Sequence, residues 1–330
     1  NYIMLWTYDA GRMRVRWVGV RKHSTAPPAV YYSNLTCVSV KVNANIAGSG
    51  SFVIGSSDYP VQEPQFIKIY INGQIGVAVF NIYAEPRMPF YDYLSSDSAA
   101  GSSSILLKNG LPLKPHDLIA IGNYKNRSVI TVTYPPASHL VYRVLAYNPS
   151  PSPSAAINSP LRDTRYVDSL VVLLTKPVMV VYYRTSVDNA KGITGSGRYI
   201  SGVLFDMQNL GGGVFNSSNT TVTKCAFYGN FGKRVFEGSN NVNIQCSQCA
   251  FVFIERLSGN TPITDLSRVF DDCVMLNIQA TAYYSTTIVR NCKFQNTYAV
   301  VENTEPTYSR YENCWLTATV GVSRGGAGYF

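Results

Sequence analysis

Val222-Thr223-Lys224-Cys225-Ala226-Phe227 is the first of five copies of one phrase, and its reading decides the fold. An apolar residue is followed by two mostly polar residues, a cysteine, any residue, and then a large apolar residue. The other copies are Cys246-Ser247-Gln248-Cys249-Ala250-Phe251, Phe270-Asp271-Asp272-Cys273-Val274-Met275, Val289-Arg290-Asn291-Cys292-Lys293-Phe294 and Tyr311-Glu312-Asn313-Cys314-Trp315-Leu316. Their cysteines step by 24, 24, 19 and 22 residues. Self-similarity at a period of about 20–30 residues, carried by strand-type residues, marks a solenoid.

Within the phrase, the cysteine and the apolar residue two places on point to the same side of a strand. The apolar residue three places before the cysteine is out of phase with both. A corner made by the two polar residues between them restores the inward direction, and such residues tolerate bent backbone. Stacking the copies places five cysteines in one interior column, about 4.8 Å apart per coil. The expected fold is therefore a parallel β-helix. A leucine-rich repeat would need a leucine-and-asparagine phrase that is absent, and the β-branched, Asn and Ser content disfavours helical repeats.

Outward from this stretch, the 330-residue chain has room for two domains. Charged residues make up only 14%, well under the usual quarter, and there are 24 tyrosines. The net charge of +9 is diffuse: 13 basic and 7 acidic residues in the first 160, 15 and 12 in the rest. Such a surplus favours acidic partners, anionic glycans or membranes among them. With no basic helix or recognised binding module, nucleic acid is not expected as a partner. Of seven cysteines, five belong to the ladder as small buried apolar residues. Cys246-x-x-Cys249 has no second pair, and no histidine follows His139, so no metal or other cofactor is expected. No signal peptide or membrane-spanning helix is visible. A chain starting at Asn1 and ending in a glycine-rich run reads as processed, or as a fragment.

The residues before the solenoid read as short strands. Arg12, Arg14 and Arg16 alternate with Met13, Val15 and Trp17, which gives a half-exposed strand or a docking face for an acidic surface. Phe66 to Phe80 alternates on both sides of Asn72-Gly73, the signature of a type I′ hairpin. Residues 84–104 read as a long loop. The spacing predicts a β-sandwich or jelly-roll-like domain over 1–147, a Pro/Ser linker over 148–160, and the right-handed parallel β-helix over 161–330, with five to seven turns. The run Val167 to Tyr183 reads as two strands split at Lys176-Pro177.

Candidate chemistry is sparse. Asp271-Asp272 is a carboxylate pair, and Glu237 and Glu255 could occupy neighbouring coils; a glycosidase needs two such groups about 5–10 Å apart. Against this, Asp271-Asp272 fills the corner slot that holds Thr-Lys, Ser-Gln, Arg-Asn and Glu-Asn elsewhere. Asp206, Asp265, Glu302 and Glu312 are further acids, readable as surface turn residues. No nucleophile elbow or phosphate loop appears. Four sequons, at Asn34, Asn126, Asn216 and Asn219, permit an extracellular glycoprotein. Tyr283, Tyr284, Tyr298 and Tyr308 punctuate the late coils, and Trp315, next to a ladder cysteine, should point outward. Exposed rings beside Asn and Asp hold sugars by stacking and hydrogen bonding, and they equally suit subunit packing.

The Cys-x-Phe coils after an all-β first domain and a Pro/Ser stretch resemble the pectate-lyase-like right-handed β-helix superfamily, and within it viral tailspike and receptor-binding proteins. The charge-poor, Tyr-, Ser- and Asn-rich composition is similar to virion proteins of archaeal viruses, including the tailspikes of spindle-shaped viruses. The resemblance covers roughly residues 200–322. It implies a virion-surface or extracellular homo-oligomer, commonly a trimer, that attaches to a host-surface glycan or glycoprotein. It also implies contact with other virion or tail proteins through the N-terminal domain, and sometimes glycan cleavage. The Gly-His-Gly of polygalacturonase-like enzymes and a calcium-ligand cluster are absent. Three functions are thus in view: a glycan-binding spike, a polysaccharide hydrolase or lyase, and a filament or sheath subunit without ligand.

Overall fold

A computed structural model describes residues 38–42, 46–123, 141–182, 192–208, 213–229, 234–236, 243–258, 263–280, 282–283, 285–296, 299–302, 309–317, 321–324 and 328–329. All regular structure among them is strand.

One wall of the molecule stacks nine parallel strands: Val38–Val42, Ile67–Ile71, Val178–Tyr182, Val203–Asp206, Ala226–Tyr228, Ala250–Ser258, Val274–Ala280, Lys293–Gln295 and Trp315–Thr317. A second wall stacks Ile46–Ile54, Ile75–Ile82, Ile193–Ser201, Phe215–Thr223, Ile244–Ser247, Ile263–Asp271, Ser285–Arg290, Ser309–Glu312 and Gly328–Tyr329. A third, shorter wall includes Ala282–Tyr283, Ala299–Glu302 and Gly321–Arg324. This is a parallel β-helix of nine described coils, with the right-handed sense such crossovers take.

The repeated phrase builds the corner between the second wall and the first, as its phase requires. Val222, Cys225 and Phe227 are all fully buried in one core. The second polar residue of every copy is left-handed: Lys224 (φ 53°), Gln248 (52°), Asp272 (50°), Asn291 (54°) and Asn313 (51°). Each corner carbonyl accepts a backbone N–H from the left-handed residue of the preceding coil, Gly202 N to Thr223 O (3.1 Å) and Lys224 N to Ser247 O (2.9 Å) among them, and the thiols add a second, weaker donor. Cys225 Sγ donates to Thr223 O (3.2 Å) and to Ile200 O of the preceding coil (3.7 Å). Cys249, Cys273, Cys292 and Cys314 repeat this pair of contacts. Cysteine fits because it is small, apolar and still a weak donor. Below the thiols, Phe205, Phe227 and Phe251 stack 4.8 and 5.0 Å apart with planes within 5°.

A sixth copy lacks the cysteine. In Ile200-Ser201-Gly202-Val203-Leu204-Phe205, Val203 takes the cysteine slot and Gly202 the left-handed corner (φ 65°). A Cβ on Gly202 would lie 2.4 Å from Ala84 O, so only glycine fits.

The N-terminal half departs from expectation. Ile67–Ile71 and Ile75–Ile82 do not form a hairpin. Each pairs in parallel with strands of neighbouring coils, and Asn72-Gly73 lies at a corner whose Asn72 N–H donates to Val42 O (2.8 Å). Period-two alternation around a bend serves a hairpin and a solenoid corner equally well. What separates them is partner strands more than a hundred residues away in sequence. The described strands of 38–82 are thus coils of the β-helix, not part of a sandwich.

The antiparallel module is instead inserted between the second and third coils. Tyr91–Tyr93, Leu170–Leu173, Leu118–Ile121, Val141–Asn148, Ser154–Ile157 and Ser104–Leu106 pair antiparallel in that order. Hydrogen bonds from Ser95 N to Leu106 O and from Lys108 N to Tyr93 O close the sheet into a small barrel. Closure removes exposed edges, which a sandwich would keep. Residues 84–104 therefore supply barrel strand as well as loop, and the expected linker contains Ser154–Ile157, paired on both sides. The apolar run splits at Lys176-Pro177 as expected, but its halves join different sheets: Leu170–Leu173 the barrel, Val178–Tyr182 the solenoid.

The barrel lies on the outer side of the first wall. Leu170, Val172 and Leu174 meet outward-facing Leu204, Ala226, Ala250, Val274 and Leu276, while Val171 and Leu173 face the barrel interior. Amides seal the seam. Gln295 Oε1 accepts from Leu170 N (2.8 Å), and Asn296 exchanges two 2.8 Å bonds with the backbone of Asn123. Gly122 permits this approach, since a Cβ there would lie 2.0 Å from Gln295 Oε1.

Candidate functional site

Where the barrel ends, the first wall becomes accessible. In each coil the residue between the cysteine slot and the large apolar residue points outward. It is Leu204, Ala226, Ala250 and Val274 under the barrel, then Lys293 and Trp315 beyond it. Trp315 is 52% exposed, which bears out its expected outward direction.

Lys293 joins this exposed end to the barrel. Its Nζ lies 4.8 Å from the centroid of Tyr91, on the first barrel strand, and 4.8 Å from that of Trp315. Tyr91 continues edge-on to Tyr93 (6.1 Å, 88°), and Lys108 Nζ lies 6.0 Å from the Tyr93 ring. The result is a strip running Tyr93, Tyr91, Lys293, Trp315. Burial, with Tyr91, Asp168 and Asp92 nearby, pushes the Tyr93 hydroxyl up to about 12, so it stays a neutral donor at any physiological pH.

Beside the strip is a cleft of about 370 Å³, lined by Met88, Pro89, Phe90, Tyr91, Asp92, Tyr93, Asn109, Gly110 and Asp272. Its two carboxylates differ. Asp92 is buried and accepts from Asn109 N (3.0 Å), Asn109 Nδ2 (3.1 Å) and Gly110 N (2.8 Å), so it braces the loop. Asp272 is half-buried at its left-handed corner, with Gln248 Nε2 at 3.4 Å.

The other expected site residues scatter. Asp271, at the end of its strand, is held by Arg290 Nη2 (2.9 Å) and Asn291 Nδ2 (2.9 Å); it belongs to a polar ladder and does not line the cleft. Glu255 lies on Ala250–Ser258 and Tyr283 on Ala282–Tyr283 of the third wall, with side chains outside the described set. Glu237, Tyr284, Tyr298 and Tyr308 lie outside the described residues, as do Arg12, Arg14 and Arg16. Asp206, hydrogen-bonded by Gln208 N and Nε2 (both 3.2 Å), has its carboxyl raised by burial. Cys246 occupies the apolar slot shared with Val222, Phe270 and Val289, so Cys246 and Cys249 both face the core.

Sequence reading missed Tyr91, Tyr93, Lys293 and Asn109. The available signal was Tyr91-Asp92-Tyr93 alternation inside a supposed loop, and the change from Ala, Ala and Val to Lys and Trp after the ladder cysteines.

No family model and no curated protein matches the sequence. Three solved tailspikes align with it. The Gp54 tailspike of Acinetobacter baumannii bacteriophage AP22, solved in complex with A. baumannii capsular saccharide, is 10% identical with a TM-score of 0.26, over 86% of this chain and 53% of its own. The Pseudomonas phage phi297 tailspike gp61 is 10% identical with a TM-score of 0.27, over 88% and 56%. The tailspike protein gp49 from Pseudomonas phage LKA1 is 13% identical with a TM-score of 0.23, over 84% and 54%. The chain spans about half the length of each.

Proposed function

We propose that this chain is part of a virion-surface spike that binds a host-surface glycan along the Tyr93–Tyr91–Lys293–Trp315 strip and the adjoining cleft. The observation that carries the reading is Trp315: an indole 52% exposed on a rigid sheet, next to a cation, a second ring and a polar-rimmed cleft. Sugar rings stack on aromatic faces, and their hydroxyls need fixed acceptors and donors such as Asp272 and Asn109. A parallel β-helix suits the task because its ladders hold the strip residues on a preorganised frame, so little ordering entropy is lost on binding. In this reading the spike is a homo-oligomer, with a trimer favoured, its N-terminal side meets other virion proteins, and its source is an archaeal virus.

The test is a glycan array probed with the purified chain. Trp315→Ala should weaken any bound glycan by up to about tenfold without shifting the melting temperature. Unchanged binding would remove the strip from the reading. A second reading, depolymerisation, draws on the two carboxylates lining one cleft. It requires reducing-sugar release that Asp272→Asn abolishes. The three hydrogen bonds that occupy Asp92 favour binding without turnover.

A further inference from the structure

Among the described residues, Arg290 and Arg310 of the late coils, Lys108 beside Tyr93, and Lys293 are exposed or half-buried cations, and the first three are neutralised. Arg290 pairs with Asp271 (2.9 Å), Arg310 with Glu312, and Lys108 with Asp168. Lys293 is the exception. Among the described residues no carboxylate lies within ion-pair distance of its ammonium, which instead lies 4.8 Å from the centroids of both Tyr91 and Trp315. The rings hold the charge in place, since the π faces attract an ammonium. They bring no formal negative charge, and an ammonium has three donors to offer.

We infer that Lys293 is an anion-reading group, and that the glycan carries a negatively charged sugar whose acid group pairs with the Lys293 ammonium while its ring meets Trp315. This deepens the glycan-binding reading and rests on it. Asp272 fixes polarity. A carboxylate in the cleft repels the acid group and accepts from hydroxyls, so the charged end of the sugar faces Lys293 and the hydroxyl-rich end faces Asp272 and Asn109. The two sides of the strip therefore read two ends of one residue.

Carboxylate and sulfate sugars share this chemistry, and the experiment separates them. The full chain is titrated with matched oligosaccharides that carry glucuronate, a sulfated glucose, or plain glucose at the same position. The expected result is about tenfold or greater preference for one acidic series over the neutral one, the gain of one charge-assisted contact. That preference should shrink as salt rises from about 0.05 to 0.5 M. Lys293→Gln should bring acidic binding down to the neutral level, and Lys293→Arg should retain most of it, with melting temperatures unchanged in both. Equal binding of acidic and neutral series overturns this inference and leaves glycan binding standing. So does an acid preference that survives Lys293→Gln. Binding to none of the probes, with the fold intact, overturns both.

Discussion

The outward residue after the cysteine slot faces two different environments along one wall. At Leu204, Ala226, Ala250 and Val274 it is buried beneath the barrel; at Lys293 and Trp315 the same slot opens to solvent. The backbone is the same in both places: an in-register parallel ladder with a left-handed corner before it. What differs is whether another sheet covers the wall, and the side chain follows. Small or branched apolar residues match a covering sheet, while a long cation and an indole match an open face. The end of the covered stretch thus sets where a ligand can reach the rigid wall.

Placing a charge in the slot should break the comparison most visibly. Leu204→Asp would bury a carboxylate between barrel and solenoid, with apolar Met179 and Ala226 as its in-register neighbours, at a cost of about 3 kcal/mol or more. Trp315→Asp, in the equivalent slot of the last described coil, should change stability by no more than about 0.5 kcal/mol. Urea denaturation of both variants measures the contrast. Similar losses in the two would mean that the barrel does not seal the wall.

The seam itself is the next level. Gln295→Ala removes the acceptor for the Leu170 N–H and leaves that buried donor unpaired, which costs about 1–3 kcal/mol. It should also raise hydrogen exchange at Leu170 and Asn123 before the solenoid amides respond. Exchange that rises uniformly would show barrel and solenoid opening as one unit.

How much of this was legible follows from how local each signal is. The Cys-x-Phe phrase carries its own phase error and its own corner, so five coils could be read from spacing alone. Gly202-Val203 was opaque because the ladder was read through its cysteine, and a valine fills that slot equally well inside the core. The coils of 38–82 were hidden because their partners come from Val178–Tyr182 and Ile193–Ser201, beyond an inserted barrel. At the site, Trp315 was readable from its phase. Tyr91 and Lys293 meet only because a barrel strand lies over a distant coil, and no local pattern encodes that.

The thiol column extends the comparison to pH. Burial raises the Cys225 and Cys273 thiols, and it raises half-exposed Cys314 to about 11. Below about pH 9 folded and unfolded chains both keep these protons, and the groups add no pH dependence. Above that, the unfolded chain releases them while the folded chain does not. Stability should therefore fall as pH rises from 9 through 11 and beyond. Melting temperatures at pH 8, 9.5 and 11 test the slope. Alkylation of the native protein should mark Cys314 before Cys225, Cys249, Cys273 or Cys292, and uniform labelling would contradict a closed column.

The smallest effect concerns the corner that both halves of the wall share. Asp272, Asn291 and Asn313 fill the left-handed position with residues that tolerate it, whereas Gln248 holds φ 52° with a long side chain that does not. Asn291 also gains from the slot: it donates to Asp271 Oδ1 and accepts from Asn313 Nδ2, both at 2.9 Å. Among the described residues, the Gln248 side chain has the 3.4 Å contact with Asp272 alone. Gln248→Asn should therefore stabilise the fold by about 0.5–1 kcal/mol, read as a small rise in melting temperature. Asn291→Gln should cost at least as much, because it loses the conformational match and both ladder bonds together. If the two substitutions shift stability in the same direction, backbone bend is not what selects the corner residue, and the polar ladder alone would have to explain the sequence there.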